Sequence, residues 1–109
     1  MRIAAFAAAV GVVLCVISPA AWERAKPNTH TVTIEGMRFQ PESLTVAPGD
    51  SVAWVNKDLV PHTATSEAGS FDSQIIEAEK SWKFTASKKG DFAYICTLHP
   101  TMKATLHVK

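Results

Sequence analysis

With 109 residues, and 11 lysines plus arginines against 10 aspartates plus glutamates, the chain is sized for one domain and is close to neutral. That balance excludes the basic face on which nucleic-acid binding depends. Two cysteines, Cys15 and Cys96, offer no disulfide framework to staple so small a fold.

The chain opens on Arg2 and an unbroken run of apolar residues and glycine from Ile3 to Ile17. This is long enough for the apolar region of a signal peptide and short for a membrane span. Ser18-Pro19-Ala20 supplies small residues for cleavage after Ala20, so residues 1–20 are expected to be a signal peptide. Ala21 and Trp22 prolong the apolar stretch, which makes an uncleaved N-terminal anchor the alternative; a membrane is a partner only in that form. Export leaves Cys96 as a lone thiol in an oxidising compartment, where it is either a liability or a metal ligand.

Residues 21–29 read as a linker, and residues 30–109 as the folded domain. Thr31-Val32-Thr33-Ile34 alternates polar and apolar residues, the signal of a half-buried strand. Met37 and Phe39 follow Gly36, and Pro41 ends that run. Ser43–Val46 is a short strand, and Pro48-Gly49-Asp50 is a turn in which proline presets φ and glycine takes the positive value. Ser51–Val55 alternates again, with Val52 and Trp54 on one face. Thr63-Ala64-Thr65 is expected to be strand, and residues 67–73 a polar loop. Trp82, Phe84 and Ala86 share one face of a further strand, Lys88-Lys89-Gly90-Asp91 is a turn, and Phe92, Tyr94 and Cys96 share a face of the next strand. Lys103–Val108 closes the chain as a strand. Short strands between turn signals, with no helical period after residue 30, predict an all-β sandwich or barrel.

Chemistry concentrates in Cys96-Thr97-Leu98-His99-Pro100-Thr101-Met102. A thiol, an imidazole and a thioether fall within seven residues at the spacing Cys-x2-His-x2-Met. A short loop turns all three toward one point, and the soft sulfur donors favour copper. His62, after Pro61, is the candidate for a second imidazole, which completes the two-histidine, one-cysteine set with a weak axial methionine. His62 begins a strand, and in a sandwich the strand ends meet at one rim. His30 starts the first strand and His107 alternates with Leu106 and Val108, so both are read as ordinary strand residues. Asn56 and Thr97 are expected to support the ligands, with the Asn56 side chain tying the His62 loop to the Cys96 loop near Thr97.

Three segments resemble the cupredoxins, the blue copper proteins, and among them the plastocyanin/amicyanin-like type: Phe39–Asn56, Pro61-His62-Thr63, and Gly90–Met102. The resemblance implies a Greek-key β-sandwich with one type 1 copper ion. It also implies one-electron transfer in a bacterial periplasm, and no enzymatic activity. His62, Cys96 and His99 would then form the trigonal plane and Met102 the axial position. The short ligand loop is similar to that of amicyanin. Three places depart from the family's habit: Gln74 stands where glycine is frequent, Glu77-Ala78-Glu79-Lys80 replaces a Pro-Gly turn, and Ala104 replaces a common glycine.

The expected protein is a monomer that carries electrons between redox proteins docking near His99. The outer edge of the His99 ring should reach the surface among apolar side chains, Val60 and Pro61 included. One rival keeps the same ligands and makes the protein a periplasmic copper chaperone or buffer. A second is a metal-free interaction module.

Overall fold

The computed structural model describes Gly11 and residues 26–109. The expected signal peptide and most of the expected linker lie outside the described residues. Eight strands follow one another: β1 Thr29–Ile34, β2 Phe39–Gln40, β3 Ser43–Val46, β4 Ser51–Asn56, β5 Thr65–Ser66, β6 Ser81–Thr85, β7 Gly90–Cys96 and β8 His99–Val108. They form two four-stranded sheets, ordered β2-β1-β4-β6 and β3-β8-β7-β5. The described residues contain no helix.

Alternation does most of the folding work. In β1 Val32 and Ile34 point inward between polar threonines. In β4 Val52, Trp54 and Asn56 take the inward phase, so the same period that buries Trp54 carries an asparagine side chain into the interior. Tyr94 and Cys96 do likewise on β7, and Met102, Ala104, Leu106 and Val108 on β8. The inward residues meet in one core. At its centre the Trp54 ring lies 5.5 Å from Tyr94, edge to face, and 5.4 Å from Phe71, and aromatic pairs at such separations add to simple area burial.

Two of the pairings are parallel: β1 with β4, and β3 with β8. Each joins strands distant in sequence: β1 with β4 forms the centre of one sheet, and β3 with β8 sets an edge strand of the other against the last strand of the chain. Asp50 locks the start of this framework. Its carboxylate accepts the amides of Asn28 and Ala47 and lies 2.9 Å from His30 Nε2. The Asn28 amide, then the His30 side chain and the Ala47 amide, hold the carboxyl down at about 2.

Two of the three departures from family habit have a backbone meaning. Gln74 sits at φ 59° and Glu79 at φ 65°, so both occupy the left-handed region that suits glycine. The turns keep a glycine-like conformation without the glycine.

Candidate metal centre

The centre is built where β4, β7 and β8 reach one end of the sandwich. Cys96 and His99 are cross-strand partners that flank the two-residue turn Thr97-Leu98. The β7–β8 ladder runs Ile95↔Lys103 and then Cys96↔His99, so Pro100, Thr101 and Met102 fall outside it. This irregularity is the structural use of the short ligand spacing. It brings His99 back beside Cys96 and leaves Met102 free to turn inward, where it is buried in the core cluster with Cys96.

His62 is supplied from the loop after β4, and does not begin an expected strand over 63–65: only Thr65–Ser66 is strand. A single bridge holds it instead. The His62 amide donates to Ile76 O, and the Ile76 amide donates to His62 O. The ring is fully buried. His62 Nδ1 and His99 Nδ1 each lie 3.6 Å from Cys96 Sγ. The three donor atoms fall within 4.8 Å of one another.

The separation tests whether a metal fits. Bonds of about 2.0–2.1 Å to nitrogen and about 2.3 Å to sulfur, opened to a trigonal or tetrahedral angle, set nitrogen and sulfur roughly 3.5–3.8 Å apart. Both Nδ1–Sγ distances match. A thiolate and two imidazoles are a donor set suited to copper, and Met102 is buried in the same core cluster as Cys96. The Thr63 amide also donates to Cys96 Sγ at 3.3 Å, a bond that fixes the position of the sulfur.

The supporting residues divide the work differently from the expectation. Asn56 does not reach Thr97. Its side-chain amide donates to Val60 O and Ile76 O, and its Oδ1 accepts the Asp58 amide. It thus braces the loop 57–61 and the strand bridge that hold His62. The tie to the Cys96 loop is made by Thr63: its Oγ1 accepts the Thr97 amide at 2.9 Å and pairs with Thr97 Oγ1 at 3.1 Å. Asp58 is a further contact absent from the sequence reading, with Oδ2 2.8 Å from His62 Nε2. Burial opposes ionisation of Asp58, but the Met37 and Gly36 amides and the His62 ring outweigh it and hold the carboxyl below its usual range.

His99 is partly exposed. Leu98, next to His99 in the chain, and Val60 and especially Leu59, 92% exposed, in the loop before His62, show apolar side chains to solvent, and Pro61 and Pro100 are exposed beside them in the chain. His30 and His107 stay away from the cluster. His107 joins Asp91 at 2.6 Å and Ser43 Oγ at 3.1 Å across three strands. With Asp91 largely exposed on an open sheet exterior, this is a cross-strand polar ladder.

The cupredoxin-like domain family model matches residues 6–108. Amicyanin of Paracoccus versutus is 28% identical over 83 residues, which cover 72% of this chain and 63% of the relative, so less than two thirds of that protein is matched. Amicyanin-alpha of Methylorubrum extorquens is 27% identical over 119 aligned positions spanning both chains completely. A solved Cu(I) structure of an amicyanin variant superposes with a TM-score of 0.71 at 27% identity, over 74% of this chain and 82% of that one.

Proposed function

The chain belongs to the cupredoxin-like domain family, and from that premise we propose that it is an exported blue copper protein carrying single electrons between periplasmic redox proteins. The observation that carries this reading is the convergence of two imidazole Nδ1 atoms on one buried sulfur at 3.6 Å. His62, Cys96 and His99 would hold one copper ion, with Met102 as the weak fourth donor. Bound there, copper supplies a one-electron couple between Cu(I) and Cu(II).

The residues keep that couple cheap to cycle. His62 is clamped through its backbone to Ile76 and Cys96 through its sulfur to the Thr63 amide. Donors fixed before the metal changes charge have little to rearrange when it does, the general advantage of a preorganised site. Four protein donors leave no open position for a substrate, which separates this centre from catalytic metal sites. The partly exposed His99 is the expected exit for electrons, with exposed Leu98 next to it in the chain and exposed Leu59 and Val60 in the loop that carries His62. A small apolar patch of this kind suits brief docking of redox partners, which lies at the low end of interface size. The periplasmic location rests on the signal-like residues 1–20 and the lone thiol.

The test is an optical and paramagnetic-resonance spectrum of the copper-loaded protein and of Cys96→Ser. The wild type should show an intense thiolate-to-Cu(II) band that bleaches on reduction and returns on oxidation. The serine variant should lose the band. A wild type that holds only Cu(I) and yields it readily to chelators would instead identify a copper-handling protein.

A further inference from the structure

The two ligand histidines are supported unequally. Nδ1 of each faces Cys96. Nε2 of His62 lies 2.8 Å from a carboxylate oxygen of Asp58, within the protein. Among the described residues, no hydrogen bond reaches Nε2 of His99.

Asp58 is itself held from three directions. Its Oδ1 accepts the Gly36 amide at 2.8 Å and its Oδ2 the Met37 amide at 3.0 Å. Its own amide donates to Asn56 Oδ1 at 2.9 Å. Gly36 and Met37 have φ of 65° and 60°. Successive amides turned this way form a concave anion-binding nest, and here the anion is a side chain of the same protein. The carboxylate is therefore fixed by the β1–β2 turn before it meets His62, and its side chain is only 15% exposed.

We propose that Asp58 is a positioning residue of the metal centre: set in the Gly36–Met37 nest, it takes the Nε2–H of His62, commits Nδ1 to the metal and places a negative charge behind that ligand. A neutral imidazole carries one N–H, so holding it at Nε2 frees the Nδ1 lone pair. A carboxylate behind a metal-bound imidazole fixes the ring and makes it a more basic ligand. The charge favours Cu(II) over Cu(I), so Asp58 lowers the reduction potential. The proposal rests on the copper reading above.

The experiment compares copper-loaded wild type with Asp58→Asn and Asp58→Ala at one pH, reading the reduction potential and the Cu(II) and Cu(I) affinities. Removing an outer partner of this kind costs about 10–100-fold in metal affinity. The loss should fall mainly on Cu(II), and each tenfold change in the ratio raises the potential by about 59 mV for one electron. Asp58→Asn, which keeps the shape and loses the charge, should raise it less than Asp58→Ala. Asp91→Asn removes a charge at the far end of β7, about 16 Å along the strand from Cys96, and should leave the potential unchanged. Equal potentials in wild type and both Asp58 variants would overturn the proposal, as would an equal rise in Asp91→Asn. If neither Asp58 variant folds, the wild-type Cu(I) form decides by nuclear magnetic resonance. A slowly exchanging His62 Nε2 proton supports the contact, and a ring protonated on Nδ1 overturns it. A wild type that binds no copper at all would instead defeat the copper reading itself.

Discussion

Thr63 shows how much one small side chain does at this centre. Its amide reaches Cys96 Sγ, and its hydroxyl joins Thr97 and Thr65. Thr63→Ala keeps the amide and removes the hydroxyl, leaving the Thr97 amide without its partner. A buried donor left unpaired costs about 1–3 kcal/mol. Thr97 lies at the surface, so the cost should fall near about 1 kcal/mol by the same reasoning. Thr63→Ser should recover it. Denaturant unfolding of the two metal-free variants checks this; an alanine variant as stable as wild type would show that the hydroxyl does not tie the loops. The candidate ligands could be read from the sequence because Cys96, His99 and Met102 lie within seven residues. Thr63 and Asp58 could not. Thr97 stands 34 positions from Thr63, and the Met37 amide that fixes Asp58 stands 21 positions from it; Asp58 is only four residues before His62, but in a loop that spacing alone does not turn the carboxylate toward the ring. Asn56 was half legible: the alternation of Val52 and Trp54 predicts its inward direction, but not that it braces Val60 and Ile76 rather than Thr97.

Among the elements, the turns hold the clearest unspent stability. A left-handed residue other than glycine costs about 1–2 kcal/mol. Glycine gives back part of that gain, about 0.5–1 kcal/mol, through the freer unfolded chain. Glu79 at φ 65° has no side-chain hydrogen bond, and its amide bonds to Asn56 O as any residue's would. Glu79→Gly should therefore stabilise the fold by about 0.5–1 kcal/mol in denaturant unfolding. A destabilised variant would mean that the carboxylate contributes something the backbone does not. Acid is expected to weaken the β1–β4 framework. Asp50 titrates at about 2 in the fold against about 3.9 in an unfolded chain. Its folded pKa is depressed, so its contribution is complete above about pH 4 and lost as pH falls from there toward 2. Asp50→Asn should lower stability near neutrality and flatten its dependence on pH across that window. An unchanged acid slope would remove Asp50 from the account. The strands themselves were legible through period-two alternation, most clearly β1, β4 and β7. The parallel pairings of β1 with β4 and β3 with β8 were not, because alternation fixes which face is buried and says nothing about which strand lies alongside.

At the scale of the whole molecule, metal and fold are one equilibrium. His62 comes from a loop after β4 in one sheet, Cys96 and His99 from the β7–β8 hairpin in the other. Only the folded chain brings their donor atoms within 4.8 Å. The unfolded chain keeps Cys96 and His99 close in sequence but loses His62, so it binds copper less tightly. A ligand that binds only the native state stabilises it by RT ln(1 + [L]/Kd), about 4 kcal/mol at a thousandfold excess over Kd. Residual binding by the unfolded Cys-x2-His-x2-Met segment subtracts from that figure. The copper-loaded protein should accordingly melt well above the metal-free one, and the gap should widen with free copper. His62→Ala separates the two contributions: it leaves the hairpin donors in place and removes the donor that only folding supplies. Its metal-free form loses a buried ring and should be less stable than wild type. Its gain on adding copper should be much smaller. Calorimetry of both proteins, each with and without copper, measures the four quantities. Equal gains in wild type and variant would mean that copper is held by the hairpin alone, and that the two sheets are not joined through the metal.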